Sequence, residues 1–150
     1  MTARELNTEF ADADESPGLL LWQVTNRWQA AQRAALKPYG LTHVQFVLLA
    51  GLTWLGTAGP VTQRHLADHT ATDTMMTSQV LRALEAAKLV ERHPHPHDAR
   101  ARALTVTPAG RELANRAIVA VEQCDRDFFA ALGGDVAAFS RALRTLRETS

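Results

Sequence analysis

A mainly helical fold carrying one small β-hairpin follows from three features of this 150-residue sequence. Apolar residues recur at three- and four-residue spacing over most of its length, as one face of a helix requires. Capping residues, several followed by proline, stand directly ahead of those runs. One segment, 89–106, breaks the helical period and alternates about a proline-rich tip instead.

Residues 1–15 read as a flexible acidic arm; the first sixteen residues hold one arginine against five acids. Ser16 caps the first helix, with Pro17 at a position where a missing N–H costs nothing. Its stripe is Leu20, Val24, Trp28, Ala31 and Ala35, and Pro38 and Gly40 end it. Thr42 caps a strongly apolar helix to about Leu55, stopped by Gly56, Gly59 and Pro60. Two short helices follow. The first, 62–69, is polar apart from Leu66 and Ala67; the second starts at Thr72 or Asp73 and runs to about Ala87.

Leu89, Val90 and Arg92 open the extended segment. The run His93-Pro94-His95-Pro96-His97 fits neither regular helix nor central strand, since proline lacks a donor and fixes φ. Residues 103–106 return as the second strand. Thr107 and Pro108 start a long helix to about Leu132, with the stripe Leu113, Ala117, Val121, Cys124, Phe128 and Leu132. Gly133 and Gly134 stop it, and Asp135 caps a last helix bearing Val136, Phe139, Leu143 and Leu146.

Composition narrows the function classes. A single cysteine excludes an internal disulfide framework, and Cys124 falls on an apolar stripe, where it packs as a small hydrophobe. Residues 44–55, the longest apolar stretch, are too few to span a bilayer, and the acidic start is unlike a signal peptide. The expected location is cytoplasmic, with no membrane partner. Net charge is zero, but residues 60–111 hold seven Lys or Arg against five acids, with five of the six histidines. There is no glycine-flanked serine nucleophile, no His-Glu-x-x-His and no phosphate loop, so an enzyme is not expected. Three alternating histidines with no cysteine nearby make a poor tetrahedral set. No metal or cofactor is expected.

Two short helices joined by a tight turn and followed by a hairpin make a winged helix-turn-helix, whose second helix fits the DNA major groove. A helical wheel places Met76, Val80, Ala83, Leu84 and Ala87 toward the core. The opposite face carries Thr74, Met75, Ser78, Arg82 and Glu85, with Gln79 on its flank. These side chains, with Thr77, form the expected DNA surface: Thr and Ser bond phosphates or bases, Gln reaches adenine, and Arg bonds guanine or phosphate.

The run Asp98-Ala99-Arg100-Ala101-Arg102-Ala103-Leu104-Thr105-Val106-Thr107-Pro108-Ala109-Gly110 resembles the wing signature of the MarR family, Asp-x-Arg, a strand, then Thr-x-x-Gly. Leu81, Leu84, Leu89, Val90 and Arg92 match its recognition-helix leucines and leucine-valine-x-arginine exit, and Leu41, Thr42, Phe46 and Leu49 resemble its second helix. The likeness runs from Leu20 to Leu146. It departs at Lys88, where the family has glycine, and at the His-Pro-His-Pro-His tip.

The resemblance implies a single unit over 1–150, with dimerisation helices at 16–40 and 107–150 and a winged helix-turn-helix DNA-binding part at 41–106. It implies a homodimeric transcriptional regulator on double-stranded DNA with a pseudo-palindromic operator, and a repressor released by a small ligand. The alternative is a winged-helix adaptor or ligand-binding protein that does not bind DNA. At the wing, Arg100 would enter the minor groove, Asp98 would brace the hairpin by pairing with an arginine, and Arg102, His95 and His97 would lie along the backbone. A small aromatic or phenolic effector is implied between the first helices and the wing part. Trp22, Asn26, His43, Phe46 and Trp54 supply the aromatic and polar handles there.

Overall fold

Side-chain caps set where most of the helices begin. Ser16 Oγ accepts the Leu19 N–H, Thr62 Oγ1 that of His65, Asp73 Oδ1 that of Met76, and Thr107 Oγ1 that of Gly110, at 2.7–3.2 Å. Thr42 and Gln45 cap each other's backbone reciprocally. Each such cap stabilises its helix by about 1 kcal/mol. In the computed structural model, which describes residues 6–149, the order is α1 (Pro17–Leu36), α2 (His43–Leu55), α3 (Gln63–Thr70), α4 (Thr74–Ala86), β1 (Val90–Pro94), β2 (Arg102–Val106), α5 (Pro108–Phe129) and α6 (Val136–Glu148). Residues 1–5 of the expected acidic arm lie outside the described residues. Asp12 caps a short turn, Ala13–Glu15, ahead of α1.

Two boundaries differ from the sequence expectation. The long helix ends at Phe129 and passes into a 3₁₀ stretch, Ala130–Asp135, broken at Gly133, whose φ of 56° only glycine takes up freely. Asp135 does not cap α6 with its side chain, because its backbone (φ −88°, ψ 2°) lacks the extended conformation a cap requires.

The core gathers around α2. Leu48, Leu49 and Leu52 are sealed against Leu36 of α1, Leu66 of α3, Leu81 and Leu84 of α4, Val90 and Leu104 of the hairpin, and Ala114, Ala117 and Val121 of α5. The hairpin pairs Val90 with Val106 and Pro94 with Arg102. Val61 adds a single bridge to Leu104 on the outer edge of β2. The apolar faces of the first half of α1 and of α6 stay uncovered: Leu21, Trp22 and Leu146 are each more than half exposed, and α6 buries no residue. Among the described residues no single helix is long and apolar enough to cross a membrane.

The orientation of α4 corrects the helical wheel. Thr77, Leu81 and Leu84 face the core, while Met76, Ala83 and Ala87 are exposed. The inward set has the spacing i, i+4, i+7, and it admits a threonine because Thr77 Oγ1 lies 2.7 Å from both the Asp73 carbonyl oxygen and Thr72 Oγ1, so its hydroxyl is satisfied. Thr77 is therefore not available to DNA.

A reversed turn closes α4. The Leu89 N–H bonds the Leu84 carbonyl and the Lys88 N–H that of Glu85, with Lys88 at φ 61°. The helix thus ends as the glycine of related sequences would end it, but on a residue with a Cβ in the left-handed region. Lys88→Gly should raise stability by up to about 1 kcal/mol, the relief of left-handed strain less the greater chain entropy of glycine. Urea denaturation of both proteins measures it, and an unchanged or lower midpoint would count against strain at this residue.

Candidate nucleic-acid interface

The turn 71–73 joins α3 to α4, and α4 turns a polar face outward. Thr74, Gln79 and Arg82 are exposed, Met75 is 72% exposed, and Ser78 is half-buried between them. Arg82 folds back on Ser78, its Nε 3.4 Å from the carbonyl and one terminal nitrogen 3.3 Å from Oγ. Both contacts are long and solvent-exposed, so the guanidinium is free to swing toward a base or phosphate.

A half-buried clamp fixes the hairpin beside this helix. Arg92 on β1 donates from Nε to Glu85 of α4 at 2.8 Å and from a terminal nitrogen to Gln63 of α3 at 3.3 Å. Glu85, read from the sequence as part of the outward face, is instead the partner that ties α4 to the wing. Only opposite charge at a distance of seven residues hinted at this pairing.

The wing tip is built from backbone turns. Asp98 Oδ1 accepts the Arg100 N–H at 3.0 Å, and the Ala101 N–H closes on the Asp98 carbonyl at 3.2 Å. The expected pairing of Asp98 with an arginine side chain is thus corrected. Its carboxylate is turned to the amide two residues on, the usual Asp turn. Arg100 and Arg102 are exposed or nearly so and form no ion pair among the described residues. The three histidines part company: His93 Nε2 lies 3.0 Å from Thr105 Oγ1 and 3.3 Å from Glu91, while His95 Nδ1 accepts the His97 N–H and the two rings meet edge to face.

The residues expected to form a ligand pocket are only partly together. Phe46 and Trp54 line a cavity of about 690 Å³ between α2, the end of α3 and α5, with Ala50, His69, Thr70, Asn115 and Ile118. Trp22 and Asn26 lie apart on α1, where Asn26 bonds the Trp22 carbonyl. His43 packs edge-on against Trp28 at 5.0 Å. Thr70 and Asn115 escaped the reading of the chain, because neither interrupts an apolar period. A second cavity of about 640 Å³ opens beneath the hairpin, where it shares Thr53, Thr57 and Asn115 with the first and adds His93 and Arg111.

Comparison with known proteins bears on this geometry. Residues 41–101, the stretch holding α2 to the wing tip, match the model of the MarR family. The HTH-type transcriptional regulator YdcH of Bacillus subtilis is 42% identical over 128 residues, covering 85% of this chain and 87% of the relative. The chain belongs to the MarR family.

A second relative, the HTH-type transcriptional repressor Rv2887 of Mycobacterium tuberculosis, is 35% identical over 121 residues, 80% of this chain and 85% of the relative. Among solved structures, that of BpsR from Bordetella bronchiseptica superposes with a TM-score of 0.78 at 28% identity, covering 93% of this chain and 96% of the other. The DNA binding of BpsR is regulated by 6-hydroxynicotinic acid.

Within this MarR chain, a buried polar cluster joins α1 to α5. Asp125 accepts hydrogen bonds from Trp28 Nε1 at 2.9 Å and from Gln32 Nε2 at 2.7 Å, and Gln32 is fully buried. His43 borders the cluster. Burial, helped by the Arg33 charge and opposed by Asp125, holds its imidazole below the usual 6.5. The unfolded chain therefore takes up a proton near pH 6.5 that the folded chain resists, and acidification below that value favours unfolding. His43→Gln should flatten the fall in melting temperature between about pH 7 and 5. Thermal melts across that range decide it; parallel curves for both proteins would show that His43 does not contribute.

Proposed function

We propose that this MarR-family regulator binds duplex DNA as a homodimer, with α4 in the major groove and the wing on the minor groove, and is released by an aromatic ligand held in the cavity between α2, α3 and α5. The observation that carries the DNA reading is the clamped pairing of two reading elements. Arg92 ties the polar face of α4 to the hairpin that carries Arg100 and Arg102, which form no ion pair among the described residues. Thr74, Met75, Ser78, Gln79 and Arg82 face the bases and their phosphates, and Arg100 enters the minor groove with Arg102, His95 and His97 beside it. Asp98 supports the contact by shaping the tip. The regulator acts on double-stranded DNA in the cytoplasm.

The dimer reading rests on the uncovered apolar faces of α1 and α6, which a second copy would bury across a two-fold axis. Static light scattering at micromolar concentration should give twice the chain mass; a monomer would defeat this assembly. The two copies of α4 would then stand about one helical turn apart, on half-sites roughly 10 bp between centres.

The ligand reading follows from the lining. Phe46, Trp54 and Ile118 offer apolar and aromatic contact, and Thr57, His69 and Asn115 add polar handles. BpsR, whose DNA binding is regulated by 6-hydroxynicotinic acid, points to the same class. Repression, the activity in the name of the mycobacterial relative, is the mode that ligand release fits.

Arg100→Ala tests the wing. Affinity for a duplex selected from a random pool should fall at least about tenfold, and the slope of log affinity against log salt should become shallower by about one unit. Stability should stay unchanged because the tip lies outside the core. Wild-type affinity across the salt titration would exclude a wing contact through Arg100.

A further inference from the structure

One wall of the cavity reaches the recognition helix through three hydroxyls. Thr70, which lines the cavity, has Oγ1 2.8 Å from the Leu66 carbonyl oxygen and 2.9 Å from Thr72 Oγ1. Thr72 Oγ1 is in turn 2.7 Å from Thr77 Oγ1, which is 2.7 Å from the Asp73 carbonyl oxygen. Thr77 is fully buried at the start of α4.

The proton count of this chain does not close. Each threonine hydroxyl carries one proton, so three protons must serve four short oxygen–oxygen contacts. One contact at a time is left as two oxygens facing each other with no hydrogen between them. If every proton points toward α4, Thr77 holds the Asp73 carbonyl and the gap falls at Leu66. If every proton points toward α3, Thr70 holds the Leu66 carbonyl and the gap falls at Asp73, in the cap of α4. With the gap on either side of Thr72 both carbonyls are held, so only the arrangement with every proton toward α3 takes the Thr77 hydroxyl off the Asp73 carbonyl, and the end that decides between them is open to the cavity.

We propose that Thr70, Thr72 and Thr77 couple the cavity to the DNA-reading helix, with Thr77 as the positioning residue for α4. The inference rests on the effector reading above for its biological meaning: a ligand that accepts the Thr70 proton, or presses on its methyl group, shifts the balance of these arrangements and with it the hold on the first turn of α4. The same element gives the regulator a response that needs no large movement of the core.

The backbone supplies a handle that tests the coupling without any ligand. A Cβ at Gly51 would stand 3.1 Å from Thr70 Cγ2, close enough to displace it by a few tenths of an ångström. Thr72→Val removes the central hydroxyl and leaves Thr70 and Thr77 each with a carbonyl to bond, so two protons serve two contacts. DNA affinity is measured by fluorescence anisotropy for the full-length wild type, Gly51→Ala, Thr72→Val, Thr72→Ser and both double variants. Gly51→Ala should weaken binding by about tenfold or more with threonine or serine at position 72, and by less than about twofold with valine there. Thr72→Val alone should stay within about twofold of wild type. An equal loss from Gly51→Ala with valine and with threonine overturns the coupling, as does no loss in either. If Gly51→Ala does not fold, Thr70→Ser withdraws the same methyl and keeps the hydroxyl. Its effect on affinity should be at least about threefold beside the native Thr72 and vanish in the Thr72→Val background; equal effects, or none, overturn the coupling. The effector reading stands or falls separately. It fails if 6-hydroxynicotinic acid and related aromatic acids do not saturably change the intrinsic tryptophan fluorescence of the wild type.

Discussion

The relative placement of α4, the hairpin and α5 depends on one backbone junction, where α4 ends and α5 begins. The left-handed turn at Lys88 exposes the carbonyls of Lys88 and Leu89, and Thr107 takes both: its hydroxyl donates to Lys88 at 2.8 Å and its amide to Leu89 at 3.0 Å. The same hydroxyl oxygen accepts the Gly110 N–H and so starts α5. Space at the junction is as constrained as its hydrogen bonding. A Cβ at Gly110 would collide with the Leu89 carbonyl oxygen and stand 2.8 Å from Val106 Cγ1. The threonine and glycine of the Thr-x-x-Gly motif are therefore two halves of one device. They close the base of the hairpin and seat α5 on the end of the recognition helix.

From that junction outward, rigid and soft connections divide the work. Arg92 clamps the hairpin to Glu85 and Gln63 and so ties it to α4 and α3. The front of α4 is held differently, by hydroxyls that can rearrange at little cost. The rear of α4 is thus tied by a charged clamp and its front by hydroxyls, while the core leucines Leu81 and Leu84 lie sealed beneath it.

Much of the fold was legible from the chain because caps and periodicity agree wherever a helix is buried on one face. Ser16, Thr42, Asp73 and Thr107 all act as the sequence suggests. The failures have physical causes. Placing Met76 and Ala87 inward treated hydrophobicity as the sole criterion, whereas Thr77 is buried because its hydroxyl is satisfied locally. Asp135 has the residue type of a cap but follows two glycines that set the backbone otherwise. The exposed polar face of α4 and the basic hairpin tip were legible in the sequence. The clamp, the cavity wall and the hydroxyl chain were not, since each joins residues from different elements, and no single-helix period encodes such a meeting.

The hairpin also bears on how this chain avoids sticking to itself. A two-stranded sheet has two outer edges, each a row of backbone groups able to recruit another strand. On the outside of β2 that row is engaged by Val61, whose carbonyl accepts the Leu104 N–H at 2.7 Å. The outside of β1 runs into Pro94 and then Pro96, neither of which has an N–H to offer. The histidine–proline alternation that sets this wing apart thus denies a neighbouring chain a template for fibril-like growth, and lets an extended basic tip stay in solvent as an unpaired edge.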